Sequence, residues 1–154
     1  MIVTRLVLVE SPYAGPTFHE VAANLDYVRR AMRSCLLRGE APYASHALYT
    51  QPGVLDDAVP EQRNLGIEAG LLWGSMAHLT AVYADRGVSG GMKLGIARAL
   101  SVGREVEYRY LDLVPGKLVR TPQAFDGVEL DRLRGLALES ILVRTVPTFV
   151  ESAQ

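Results

Sequence analysis

Four short apolar runs, each of the first three followed by a stretch with helical spacing, constrain this chain more than anything else in it. Residues 2–9 form a β-branched and aliphatic run that ends at Glu10-Ser11-Pro12, the pattern of a strand covered on both faces. Thr17 can cap the helix that follows, with Glu20 completing a capping box; Val21, Leu25, Val28, Met32, Cys35 and Leu36 then recur at helical spacing until Gly39. A second strand is expected near residues 41–44, followed by a long loop over 45–59. Pro60 opens a helix that runs to about Ser75, and residues 78–83 read as a third strand. Ser89 caps a further helix, closed by Gly103, and residues 105–111 alternate as a fourth strand with one more exposed face. Strands alternating with helices in this way predict a parallel sheet with helices on both faces. The expected class is therefore α/β, a flavodoxin- or Rossmann-like three-layer sandwich with four to five strands.

The 154 residues suit one core, expected over residues 1–111. A Pro- and Gly-rich linker, 112–126, leads to an amphipathic helix over 127–146, which packs on the domain or on a partner subunit. A formal charge of -1 offers no overall attraction to nucleic acid or to an anionic membrane, so neither is an expected partner. Cys35 is the only cysteine, which excludes an intramolecular disulfide and suits a reducing compartment. No signal peptide is read at the N-terminus, and no apolar run reaches the ~18 residues of a membrane span. A cytoplasmic protein is the expectation. His19, His46 and His78 lack ligand spacing, so no metal is expected, and no cofactor motif is present.

In a sheet of this kind ligands bind beyond the carboxyl ends of the strands. The loops there are residues 11–16, 45–59 and 85–91, the three richest in special residues. Ser89-Gly90-Gly91-Met92 places glycines at a helix N-terminus, where backbone N–H groups can approach an anion. Ser11, Tyr13, Ala14 and Gly15 follow the first strand and offer a hydroxyl and an aromatic ring; His46, Tyr49, Thr50 and Gln51 offer hydrogen bonds to a base or ribose. Arg63, Arg86 and Lys93 are candidate phosphate partners. Asp85 should face the pocket from the end of the third strand, Glu10 ends the first, and Glu68 lies on a helix, one face of which can look into the site; Asp56 and Asp57 read as solvated loop acids. No serine sits on a nucleophile elbow.

Together, Glu10 to Gly15, Asn24, residues 38–46, Tyr49-Thr50-Gln51, residues 60–63 and Ser89 to Met92 resemble the nucleoside 2-deoxyribosyltransferase-like superfamily, above all its small members often encoded by bacteriophages. The resemblance covers residues 3–110. It implies a flavodoxin-like sheet, a homo-oligomer (dimer or higher) whose neighbours complete each other's pockets, and chemistry at an N-glycosidic bond; a phage-encoded member would work in the host cytoplasm. In the transferases a helix-borne glutamate attacks the sugar, an aspartate assists at the base and a tyrosine positions the nucleophile. Asp85 and Tyr13 match the last two by position. The places where relatives carry the glutamate are held by Leu94, Gly95 and Ala97, and an apolar residue cannot act as a carboxylate nucleophile. Two expectations stay open. One is a nucleoside or nucleotide hydrolase, or a transferase, with a relocated acid: Glu10, Glu68 or Asp85. The other is a non-catalytic nucleotide-binding protein, such as a phage sponge that sequesters a cyclic ADP-ribose-like immune signal.

Overall fold

Four parallel strands form one sheet in the order β2-β1-β3-β4, in a computed structural model that describes residues 2–112. The elements in chain order are β1 (Arg5–Glu10), α1 (Phe18–Leu37), β2 (Glu40–Tyr43), α2 (Ser45–Leu48), α3 (Pro60–Gly74), β3 (Leu79–Tyr83), α4 (Gly90–Ser101) and β4 (Glu105–Arg109). The expected α/β class is the observed one. Helix 127–146 and the linker beyond Asp112 lie outside the described residues. The expected loop after β2 begins instead with the short helix α2, which carries Ser45 and His46.

Local signals explain the element boundaries. Thr17 Oγ1 accepts from the Glu20 N–H at 3.2 Å and donates to the Glu20 carboxylate at 2.8 Å, so the acid closes the cap through the hydroxyl. Pro60 occupies the first turn of α3, where no intrahelical N–H is needed. Ser89 Oγ accepts from the Met92 N–H at 3.3 Å.

Val7, Val9, Ala81 and Tyr83 face α1 and pack on Tyr27, Val28, Ala31 and Cys35. Cys35 is fully buried there, its sulfur 3.3 Å from the Tyr83 hydroxyl. The same region holds a buried ion pair: Arg109 donates to both Glu40 oxygens, at 2.6 and 2.8 Å, and to Glu107 at 3.0 Å. It joins the two outer strands. On the other side of the sheet, Val82 packs on Met92 and Ile96 of α4.

Helix α3 turns its smallest residues inward. A Cβ on Gly70 would meet the Ser45 side chain at 2.8 Å, and one on Gly74 would meet Leu8 and Arg104, each at 3.2 Å. Glycine lets α3 settle close against α2 and β1. Several large apolar side chains point the other way: Leu65, Leu72 and Trp73, with Met76 just past the helix end, are exposed, Leu72 to 75%.

Candidate functional site

The strand order places β2 on one side of β1 and β3 on the other, so the chain leaves β1 and β3 in diverging directions. A crevice opens beyond the carboxyl ends of such a pair. Here it is a cleft of about 320 Å³, within the size of small-molecule sites. Glu10, Ser11, Tyr13 and Ala14 line it after β1; Ser45, His46 and Asp57 line it from α2 and the following loop. Arg63, Ile67 and Leu71 face it from α3, and Ser89, Gly90, Gly91, Met92, Leu94 and Gly95 from α4. Tyr13, His46 and Ser89, drawn from three separate strand-to-helix connections, thus share one hollow. A smaller adjoining hollow adds Tyr49, Thr50, Leu55 and Gln62.

Two acids line this cleft, Asp57 from the loop after α2 and Glu10, which sits deeper, against α4. A Cβ at Gly95 would collide with one of the Glu10 carboxylate oxygens and with the carboxyl carbon, so the missing side chain of α4 is the notch in which the carboxyl sits. Burial, opposed by the charge of Arg104, pushes its pKa up to about 8. Among the described residues no hydrogen bond or ion pair reaches it. At neutral pH it is mostly a protonated acid, able to donate.

Ser11 and His46 form the second polar feature, with Ser11 Oγ and His46 Nε2 2.7 Å apart. Burial lowers the His46 pKa to about 4, so the ring is neutral at physiological pH. Asn24 holds the Tyr13 loop by donating to the Tyr13 carbonyl at 2.9 Å, and Arg86 Nε donates to the Asn24 side-chain oxygen, also at 2.9 Å. Arg86 is thereby engaged in loop support.

Gly90 and Gly91 begin α4 with no positive φ and with nothing within 4 Å of where a Cβ would lie. Neither backbone conformation nor internal packing calls for glycine at these positions, although glycine is a poor helix former. The bare backbone faces the cleft.

Residues 5–109 match a family described as a domain of unknown function, DUF7768. The chain belongs to this family. No curated protein matches it. The matched span runs from the first residue of β1 to the last of β4, so the DUF7768 unit comprises the whole sheet and every residue of the cleft.

Several expected positions of this DUF7768 domain lie elsewhere. Asp85 does not line the cleft. Its carboxylate accepts from Tyr27 OH at 2.5 Å and from the N–H groups of Leu111 and Asp112, each at 2.9 Å. Burial opposes its charge, yet these donors outweigh burial and its pKa lies below the ordinary value. The residue pins the exit of β4 beside α1. Asp85→Asn should therefore leave cleft chemistry within about twofold of wild type and lower stability by about 1–3 kcal/mol, through the loss of charge-assisted bonds. Thermal unfolding and turnover of one preparation check both halves.

Glu68 is on α3 but is not among the cleft-lining residues, which on that helix include Ile67 and Leu71. Gly15 packs against α1, where a Cβ would meet that of Glu20 at 2.6 Å, and lines an open hollow on the far side of the first loop. Gln51 is exposed, donating to the Leu48 carbonyl at 3.2 Å, while Tyr49 belongs to the adjoining hollow. Asp57, read from sequence as a solvated loop acid, lines the cleft with its carboxylate 3.9 Å from Arg63 Nε. Beyond the apolar lining of Ile67, Leu71 and Leu94, sequence reading also passed over Gly70 and Gly95 as part of the site. Their signal was glycine inside a helix, which costs stability unless something needs the space.

Among the described residues, no group of three or more His, Cys, Asp or Glu could hold a metal ion, and no helix is long and apolar enough to cross a membrane.

Proposed function

We propose that the cleft binds a nucleoside or nucleotide and that Glu10 acts on its N-glycosidic bond. The observation that carries this reading is a half-buried carboxyl group, with no hydrogen bond or ion pair to its side chain among the described residues, seated in the Gly95 notch. A carboxylic acid kept protonated by burial is the form that a leaving base requires. In the proposed step Glu10 gives its proton to a base nitrogen as the C–N bond breaks. The resulting carboxylate faces the positive charge that develops on the sugar, then takes a proton from the water that adds to the anomeric carbon. The products are free base and sugar, and Glu10 ends protonated as it began. Tyr13 offers a ring for stacking, Ser11 and His46 offer hydrogen bonds to sugar hydroxyls, and the open N-terminus of α4 suits a phosphate.

A second reading is a nucleotide-binding protein without turnover, for instance a phage sponge that holds a cyclic ADP-ribose-like signal. The absence of any acid at Leu94, Gly95 and Ala97, with Asp85 turned to another task, favours it. One experiment separates the two. The protein is incubated with nucleosides, nucleoside monophosphates and cyclic ADP-ribose-like signals, then denatured and its supernatant resolved by chromatography. Free base at many equivalents per protein supports the enzyme; intact ligand recovered at about one equivalent supports the binder. No retention and no turnover across the panel removes both.

A homo-oligomer is part of the proposal, and the apolar face of α3 supports it. Leu65 and Leu72 lie two helical turns apart with Trp73 beside them, Met76 follows just past the helix end, and large exposed apolar patches mark contact surfaces. Leu72→Glu should shift the chain to monomer in light scattering at micromolar concentration while its unfolding stays cooperative. A wild-type chain that is itself monomeric at that concentration counts against the assembly.

A further inference from the structure

At the amino ends of β3 and β4, the opposite end of the sheet from the cleft, Arg104 is 9% exposed. It packs under the C-terminus of α3, and one of its terminal nitrogens donates to the Gly74 carbonyl. Its Nε has no partner. No carboxylate lies within ion-pair distance among the described residues; the acid whose charge it feels is Glu10, itself mostly protonated at neutral pH. The contrast with Arg109 is sharp, since that guanidinium is also buried but grips Glu40 with two nitrogens. A buried charge left without a counter-charge is a standing cost to the fold.

Arg104 opens onto a hollow of about 340 Å³ that is also lined by Arg98 and His78. Burial lowers the pKa of Arg104, and the like charge of Arg98 adds to the effect. The His78 ring is oriented by the Leu6 N–H, which donates to Nδ1 at 2.9 Å. With Nδ1 accepting, the neutral ring carries its proton on Nε2, which is left as a donor. Ser75 adds a hydroxyl, and none of the residues lining this hollow is acidic. Capping the α3 carbonyls explains one bond of Arg104. It does not explain why a second arginine and a histidine donor converge on the same hollow.

We propose that this hollow is a binding site for a small tetrahedral oxyanion of the phosphate type, held by Arg98, Arg104 and His78. Planar guanidinium groups match such an anion with paired N–H donors, and the bound charge would supply what Arg104 lacks. The site is separate from the cleft and does not depend on the activity proposed there.

The test is thermal unfolding of the whole chain at fixed ionic strength, with inorganic phosphate replacing chloride. The midpoint should rise saturably, by about 3–6 °C at tenfold excess over the dissociation constant. Arg98→Gln, a half-buried position whose loss should not threaten folding, should remove most of that rise, and Arg104→Met should remove all of it. Glu10→Gln should leave it intact. A nucleoside monophosphate arm separates the sources of the anion. If its effect disappears in Arg98→Gln, the site takes the phosphate of a nucleotide; if it persists while that of inorganic phosphate is lost, the site takes the free ion. A rise no greater than chloride gives, or one unchanged in Arg98→Gln, overturns the proposal.

Discussion

Glu10→Gln lowers base release from a nucleoside or nucleotide by about 100- to 10,000-fold, the range that a positioned proton donor contributes. Glutamine keeps the shape of the protonated acid and can fill the Gly95 notch, so ligand retention should change little. The loss should appear in kcat. The pH profile carries the same information: since the protonated form acts, base release falls as pH rises through about 8. A rate that climbs between pH 7 and 9, or a variant with wild-type turnover, sinks the role assigned to Glu10.

The same residue makes stability depend on pH, and the sign follows from the direction of its shift. Its folded pKa, about 8, lies above its ordinary value of 4.5. The native state therefore holds the proton more tightly than the unfolded chain does. This contribution is fully present below about 4.5 and is lost as pH rises through 8. Glutamine cannot ionise, so Glu10→Gln should match wild type near pH 4 and exceed it at pH 9 by a few kcal/mol, on the order set by the shift. Denaturant unfolding at the two pH values measures the difference.

The largest loss of stability is expected from Glu40→Gln. Glu40 and Arg109 are both buried, and removing one charge strands the other, which costs about 3–5 kcal/mol. In a chain of this size that corresponds to roughly 10 °C or more in the unfolding midpoint. Glu107 is too exposed to replace the lost partner. Hydrogen bonds from Arg109 hold the Glu40 pKa below its ordinary value despite burial. The stability it supplies is thus present above the unfolded pKa and is lost as pH falls through the folded one. A double variant, Glu40→Leu with Arg109→Met, should recover much of the loss, because an apolar pair leaves no stranded charge. A single variant that costs less than about 1 kcal/mol would mean that the two groups are not energetically coupled.

Much of the architecture was legible because its signals are local. Thr17, Pro60 and Ser89 each mark a helix start through their own hydrogen-bonding chemistry, and the apolar runs of β1 and β3 are long enough to exclude an exposed strand. The meeting of Tyr13, His46 and Ser89 followed from topology, since parallel strands bring their carboxyl ends together. What escaped depends on distances that no sequence pattern carries. Asp85 ends a strand beside the cleft, as expected, but the Tyr27 hydroxyl on α1 and two N–H groups after β4 draw its carboxylate away. Gly95 looked only like a missing acid, because its value lies in the room it leaves for a side chain 85 positions earlier. In helix α3 the packing was out of reach for another reason: the sequence locates apolar residues but does not say which face is turned inward when glycines supply the contact. Helix α2 is four residues long, too short for any periodic signal.

Cys35 lies sealed between α1 and β3, beside Tyr83 and Arg109, and burial raises its pKa so that little thiolate forms. A thiol reagent can reach it only in molecules where α1 has lifted from the sheet. As the chain's sole cysteine it is a built-in clock: the alkylation rate counts how often the interior opens, and its slowing with added ligand would weigh occupancy of either hollow without any assay for chemistry.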